Sequence, residues 1–106
     1  MGVQVPPLLT SVKVEAKITY QVKKGRYRYA YLHIPASIKA LVEGRYFKVE
    51  KKGNVVIYRI SEPGPNTYKP VRYGKKSIYI RLPLENVMAK KAIIELLPDG
   101  FAVHLV

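Results

Sequence analysis

Lys23, Lys24, Arg26 and Arg28 crowd four cations into six residues, and no carboxylate occurs anywhere between residues 16 and 42. Lys69, Arg72, Lys75, Lys76 and Arg81 form a second cluster, with no acid between residues 63 and 84. Cations packed this densely neutralise phosphates and release counterions. Arginine also reaches guanine edges in a major groove wide enough for a two-stranded ribbon, which makes Arg26, Arg28, Arg72 and Arg81 candidates for base contact. Lys13 and Lys17 extend the patch along the chain. Tyr27, Tyr29 and Tyr79, with Tyr31, are candidates for stacking on bases or for hydroxyl contacts to phosphate. The plain alternatives are solvated turns, lysines that guard a strand edge, and tyrosines that cover a sheet.

Other chemistry finds little support. His33 and His104 are the only histidines and cysteine is absent, so no metal-ligand set is legible and no cofactor is expected. Ser37, Ser61 and Ser77 have no partner histidine in a nucleophile motif. Glu85, Glu95 and Asp99 lack acid–base spacing, and no glycine-rich phosphate loop precedes a helix. A non-enzyme is expected.

The formal charge is +12 on 106 residues. Residues 1–53 carry 11 basic and 3 acidic side chains, and residues 54–106 carry 8 and 4. The excess is therefore spread along the chain and predicts a basic surface that attracts polyanions. No run of about 18 apolar residues could span a membrane. The amino terminus lacks the basic flank and apolar length of a signal peptide, so a cytoplasmic, nucleoid-associated protein is expected. The lack of cysteine with many lysines and prolines also fits a thermophile.

These side chains need elements to hold them. Residues 1–11, with Pro6-Pro7, read as a flexible arm. Residues 12–22 alternate, with Val12, Val14, Ala16, Ile18, Tyr20 and Val22 on one face, which is a half-buried strand. A turn at 23–26 leads to a return strand over 26–34, with Ala30, Leu32 and Ile34 inward and Tyr27, Tyr29, Tyr31 and His33 outward. Pro35 ends it. Ser37 is a candidate cap for a short helix whose stripe is Ile38, Leu41 and Val42. Residues 45–60 form a hairpin turning at 51–54, and SEPGPN (61–66) is a linker. The pattern then recurs: an irregular edge strand over 67–73 containing Pro70, a turn at 74–76, a strand over 77–82, Pro83, a helical stretch over 84–88, and a last hairpin turning at Pro98-Asp99-Gly100. Pro35 and Pro83 are 48 residues apart, and Gly53 and Gly100 are 47 apart. The expected fold is mainly β: a compact antiparallel barrel from two tandem β-β-α-β-β units, over 12–60 and 67–106, sharing one core. The two basic hairpins are expected on the same side, able to touch one duplex together.

This order of strand, turn, strand, apolar-proline, short helix and hairpin resembles the AbrB/SpoVT-type DNA-binding domain. IPASIK (34–39) follows that family's helix motif, with Lys39 in the arginine place, and LPLENV (82–87) repeats it before Met88. The tandem arrangement looks like the single-chain pseudo-dimers of the MraZ branch. The chain departs from the family in placing Gly25 ten residues before Pro35 and Gly74 nine before Pro83, and in lacking an acid ahead of the glycine and the Asp-x-x-x-Arg signature. The resemblance implies a swapped-hairpin barrel that binds double-stranded DNA, as a small transcriptional regulator or chromatin-associated factor. It would act as a monomeric pseudo-dimer, or as a homodimer if the edge at 67–73 pairs with another chain. RNA binding, including attachment to a ribosome, and an antitoxin-type interaction module are the alternatives. The second is disfavoured here because the chain stops on its last strand.

Overall fold

The computed structural model describes residues 12–23, 25, 27–83 and 88–106, with backbone alone for Lys23 and Tyr27. The arm at 1–11, Lys24, Arg26 and most of the second helical stretch (84–87) lie outside the described residues. Eight strands follow in order: β1 (Lys13–Lys23), β2 (Tyr27–His33), β3 (Tyr46–Lys52), β4 (Val55–Ser61), β5 (Val71–Tyr73), β6 (Ser77–Leu82), β7 (Lys91–Leu97) and β8 (Gly100–Leu105). The one helix described, α1 (Lys39–Val42), is a single turn continuing a 3-10 turn at Ala36–Ile38. The fold is mainly β, as the alternation predicts.

All strands join one antiparallel sheet in the order β3-β4-β8-β7-β1-β2-β6-β5. The sheet curls until its two edges touch. Phe47 of β3 and Tyr68, three residues ahead of β5, exchange backbone hydrogen bonds of 2.8 Å each way. Inside the curl, the Tyr58 hydroxyl of β4 donates to the Arg81 carbonyl of β6 at 2.7 Å. The partner list is unchanged when β1, β2, β3 and β4 are exchanged for β5, β6, β7 and β8, counting the Phe47–Tyr68 bridge as the partner of the β1–β7 ladder. The β2–β6 ladder is centred on Leu32 and Ile80, with Ala30 opposite Leu82 on one side and the Ile34 amide bonded to the Ile78 carbonyl on the other.

The core is what period-2 alternation demands. Ala16 and Ile18, Ala30, Leu32 and Ile34, Val56 and Tyr58, Ile78, Ile80 and Leu82, Ala92 and Ile94, and Phe101 and Val103 all point inward and are buried. Ile38 and Val42 plug the curl from the helical turn.

Four local expectations are corrected. Val12 and Val22 are 59% and 63% exposed, because β1 runs past the core at both ends. Leu41 is also exposed, since a helix of one turn offers only Val42 to the core. Ser37 lies inside the 3-10 turn rather than capping it, and makes no cap hydrogen bond. The last hairpin turns at Pro98-Asp99, and Gly100 is the first residue of β8, paired with Arg59.

Candidate nucleic-acid interface

The two acid-free stretches of sequence become neighbours in space. β2 and β6 pair directly, with the outer part of β1 on one flank and β5 on the other. Residues 16–42 and 63–84 together hold eleven of the nineteen lysines and arginines and none of the seven carboxylates. The other half of the sheet carries mixed charge. There Arg59 binds Glu50 at 3.1 Å and Asp99 at 2.9 Å, and these bonds raise its pKa above the ordinary arginine value.

The outer face of β1-β2-β6-β5 has an aromatic centre. The rings of His33 and Tyr79 stack with centroids 4.9 Å apart, and Tyr73 meets Tyr79 edge-on at 5.3 Å. Across the next rung, Arg81 lies over the Tyr29 ring at 4.6 Å. The Gln21 amide donates to the Tyr73 hydroxyl at 3.2 Å. Between these groups is a cleft of about 320 Å³ lined by Thr19, Tyr20, Gln21, Tyr31, Tyr73 and Tyr79. Beside it a second cleft, of about 350 Å³, is bordered by Glu15, Lys17, His33, Pro35 and Lys91. Glu15 sits 3.7 Å from Lys91 there and leaves Lys17 as the cation without a described ion pair.

The two hairpin tips lie on this layer but at opposite ends of it, which corrects the same-side expectation. The cause is the antiparallel β2–β6 ladder: Ala30, in the first half of β2, lies beside Leu82 at the end of β6, and Ile78, near the start of β6, lies beside Ile34 just past the end of β2. At the first tip, the Arg28 guanidinium covers the Tyr20 ring at 4.1 Å and approaches the Met88 sulfur at 4.0 Å. Tyr20 donates to the Ala89 carbonyl, and burial raises its pKa against the opposing effect of Arg28. Lys23, Tyr27, Lys24 and Arg26 belong to this tip, but their side chains are outside what is described. At the second tip, Lys75 and Lys76 are exposed, and Lys39 joins them by donating to the Lys76 carbonyl at 3.2 Å.

The remaining predicted residues divide. Lys13 and Lys17 are exposed on the outer face of β1. Arg72 is held by the Glu43 carboxylate, an acid brought in by the end of α1 although it is remote in sequence. Lys69 lies over Tyr46 of β3 at 5.2 Å, at the seam where the sheet edges meet and away from both tips.

Sequence reasoning passed over Tyr73, Lys91 and the stacking role of His33. The β5–β6 hairpin carried the signal for Tyr73. A turn at 74–76 sets Tyr73 opposite Ser77, hence on the same face as Tyr79. Lys91 and Lys17 are paired across β1 and β7, a contact between distant segments that no local pattern announces.

Among the described residues no cluster of three or more His, Cys, Asp or Glu could hold a metal ion. None of the helices described is long and apolar enough to cross a membrane. Comparison with protein-family models, with curated proteins and with solved structures finds no match to this chain.

Proposed function

We propose that this chain is a nucleic-acid-binding protein whose contact surface is the outer face of β1-β2-β6-β5. The carrying observation is that the two carboxylate-free stretches of the sequence lie side by side there. A face this rich in cations draws polyanions and supplies most of the sequence-independent affinity for nucleic acid.

Double-stranded DNA is the first ligand on this reading, bound by a small transcriptional regulator or chromatin-associated factor. Gly25 lies seven residues before Leu32 and Lys75 five before Ile80, and Leu32 faces Ile80 across the ladder. At about 3.3 Å per residue the tips stand roughly 40 Å apart. That is close to the ~34–36 Å between major grooves one turn apart on one side of a duplex. The tips would thus meet one duplex at successive grooves, with Lys13 and Lys17 on intervening phosphates. The exchangeable strand order favours the AbrB-like reading of two tandem units forming a pseudo-dimer. A second reading, RNA or ribosome binding, draws support from the aromatic centre, because exposed bases stack on such rings.

A duplex of about 20 base pairs, titrated by fluorescence anisotropy over 50–300 mM salt, tests the proposal. A steep linear loss of log affinity with log salt is expected. Replacing Lys75 and Lys76 together with alanine should shallow the slope by about 1.8, at about 0.9 per lost phosphate contact. If structured RNA binds while duplex does not at low salt, the second reading replaces the first. If neither binds, the proposal fails.

A second prediction follows from the Arg72–Glu43 pair. Arg72 stands opposite buried Ile78 and so on the face turned away from Tyr73 and Tyr79, and Glu43→Ala should leave the same slope unchanged. A slope steeper by about 0.9 would instead put the freed Arg72 on the path of the polyanion.

A further inference from the structure

The strongest unexplained feature of the basic face is its middle, which is made of rings rather than cations. A surface built only to neutralise phosphate gains nothing from Tyr31, Tyr73, Tyr79 and His33 clustered at the centre. Tyr73 remains 47% exposed, so the rings are not simply buried filler. Tyr31, Tyr73 and Tyr79, the last stacked on His33, wall a cleft, and Thr19 and Gln21 line the same cleft with hydrogen-bonding groups. At about 320 Å³ it falls at the small end of pockets that hold organic ligands. Cations flank it. Arg81 is paired with Tyr31 across β2 and β6, and Lys17 precedes Thr19 by one outward-facing position along β1.

A paired base in a duplex shows its edges and hides its faces, so aromatic walls are of no use to it. An unpaired base offers a π-face, and its neighbouring phosphates need cations within a few ångströms. We propose that the cleft between Tyr31, Tyr73 and Tyr79 takes an unpaired nucleobase of single-stranded DNA or RNA, with the adjoining phosphates on Lys17 and Arg81. This rests on the nucleic-acid reading of the face and adds a chemical class to it: the face recognises bases as well as charge. Charge complementarity selects the occupant. An apolar peptide would leave the surrounding lysines and arginines unanswered, and an acidic peptide would leave the ring faces without flat partners.

The test uses the full chain and three labelled probes: a 12-residue oligothymidylate, an abasic strand with the same number of phosphates, and a duplex. Wild-type protein is expected to bind oligothymidylate at least about tenfold tighter than the abasic strand, because each stacked base contributes on the order of a 5- to 150-fold gain. Tyr79→Ala should bring the ratio of oligothymidylate to abasic binding close to one, and Tyr79→Phe should keep most of the wild-type ratio. Oligouridylate in place of oligothymidylate separates RNA from DNA as the source of the base. Equal binding of oligothymidylate and abasic strand by the wild type overturns the base site, while salt-dependent duplex binding would leave the broader reading standing. Absence of binding to every probe overturns both. The wild-type comparison does not depend on any variant folding.

Discussion

Gly100→Ala should destabilise the protein by about 3 kcal/mol or more, beyond the usual range for adding one methyl group. A β-carbon at Gly100 would stand 1.8 Å from the Tyr58 carbonyl oxygen, 2.9 Å from its carbonyl carbon and 3.0 Å from the Arg59 α-carbon. All three are backbone atoms, so no rotamer change relieves the overlap. The β4–β8 ladder must spread at the Arg59–Gly100 pair, next to the Tyr58–Phe101 pair of the core. For a domain of about this size, 1 kcal/mol moves Tm by roughly 4–8 °C, so a drop of about 12 °C or more is expected. Gly53→Ala is the control. Gly53 has φ +58° with open space around it, and the left-handed backbone alone costs alanine about 1–2 kcal/mol. Urea unfolding of both variants measures the difference. Equal losses would show that close strand approach is not the reason for glycine at position 100.

Tyr58→Ala should cost about 4 kcal/mol, a large share of the ~5–15 kcal/mol that holds a domain of this kind together. Tyr58 is fully buried. Its ring stacks on Phe101 at 4.7 Å and meets Phe47 and Tyr68 edge-on at 6.2 and 6.4 Å. Its hydroxyl bond to the Arg81 carbonyl ties β4 to β6, which are not neighbours in the sheet. Tyr58→Phe keeps the rings and removes only that tie, for an expected loss of about 1–2 kcal/mol. The two variants also differ from wild type in pH dependence. Burial holds the Tyr58 phenol well above its ordinary 10.0, with Tyr68 acting in the same direction. A raised folded-state pKa means that the folded protein keeps a proton the unfolded chain releases. This stability is fully present below about pH 10 and is lost as pH rises beyond it, by up to about 1.4 kcal/mol per pH unit. Tyr58→Phe should therefore decline less steeply than wild type above pH 10. Parallel declines in urea unfolding at pH 9, 10 and 10.5 would overturn the assignment.

Much of the β architecture was legible along the chain because alternation is a local property. Val14 to Ile18 and Ile78 to Leu82 announce strands by side-chain period alone, and Pro35 ends β2 by geometry that any sequence would share. Element ends were less legible. Val12 and Val22 continue the pattern past the point where there is core to cover, and Leu41 continues a helical stripe beyond the single turn that forms. The glycine at 100 suggested a turn residue, but strand approach from β4 is its constraint, and that strand lies about 40 residues away.

The cationic clusters and the missing carboxylates are facts of composition, and they determined by themselves that a basic surface exists. Its layout was decided only by the tertiary structure. Antiparallel pairing of β2 with β6 sends the two tips to opposite ends, α1 delivers Glu43 to Arg72, and the curl carries Lys69 to the seam with Tyr46. The same pairing gathers Tyr31, Tyr73 and Tyr79 from three strands into one cleft wall, with His33 stacked on Tyr79. Charge and periodicity are additive along a chain and can be read from it. Which distant residues meet depends on strand order and register, which the burial of the whole apolar set selects at once.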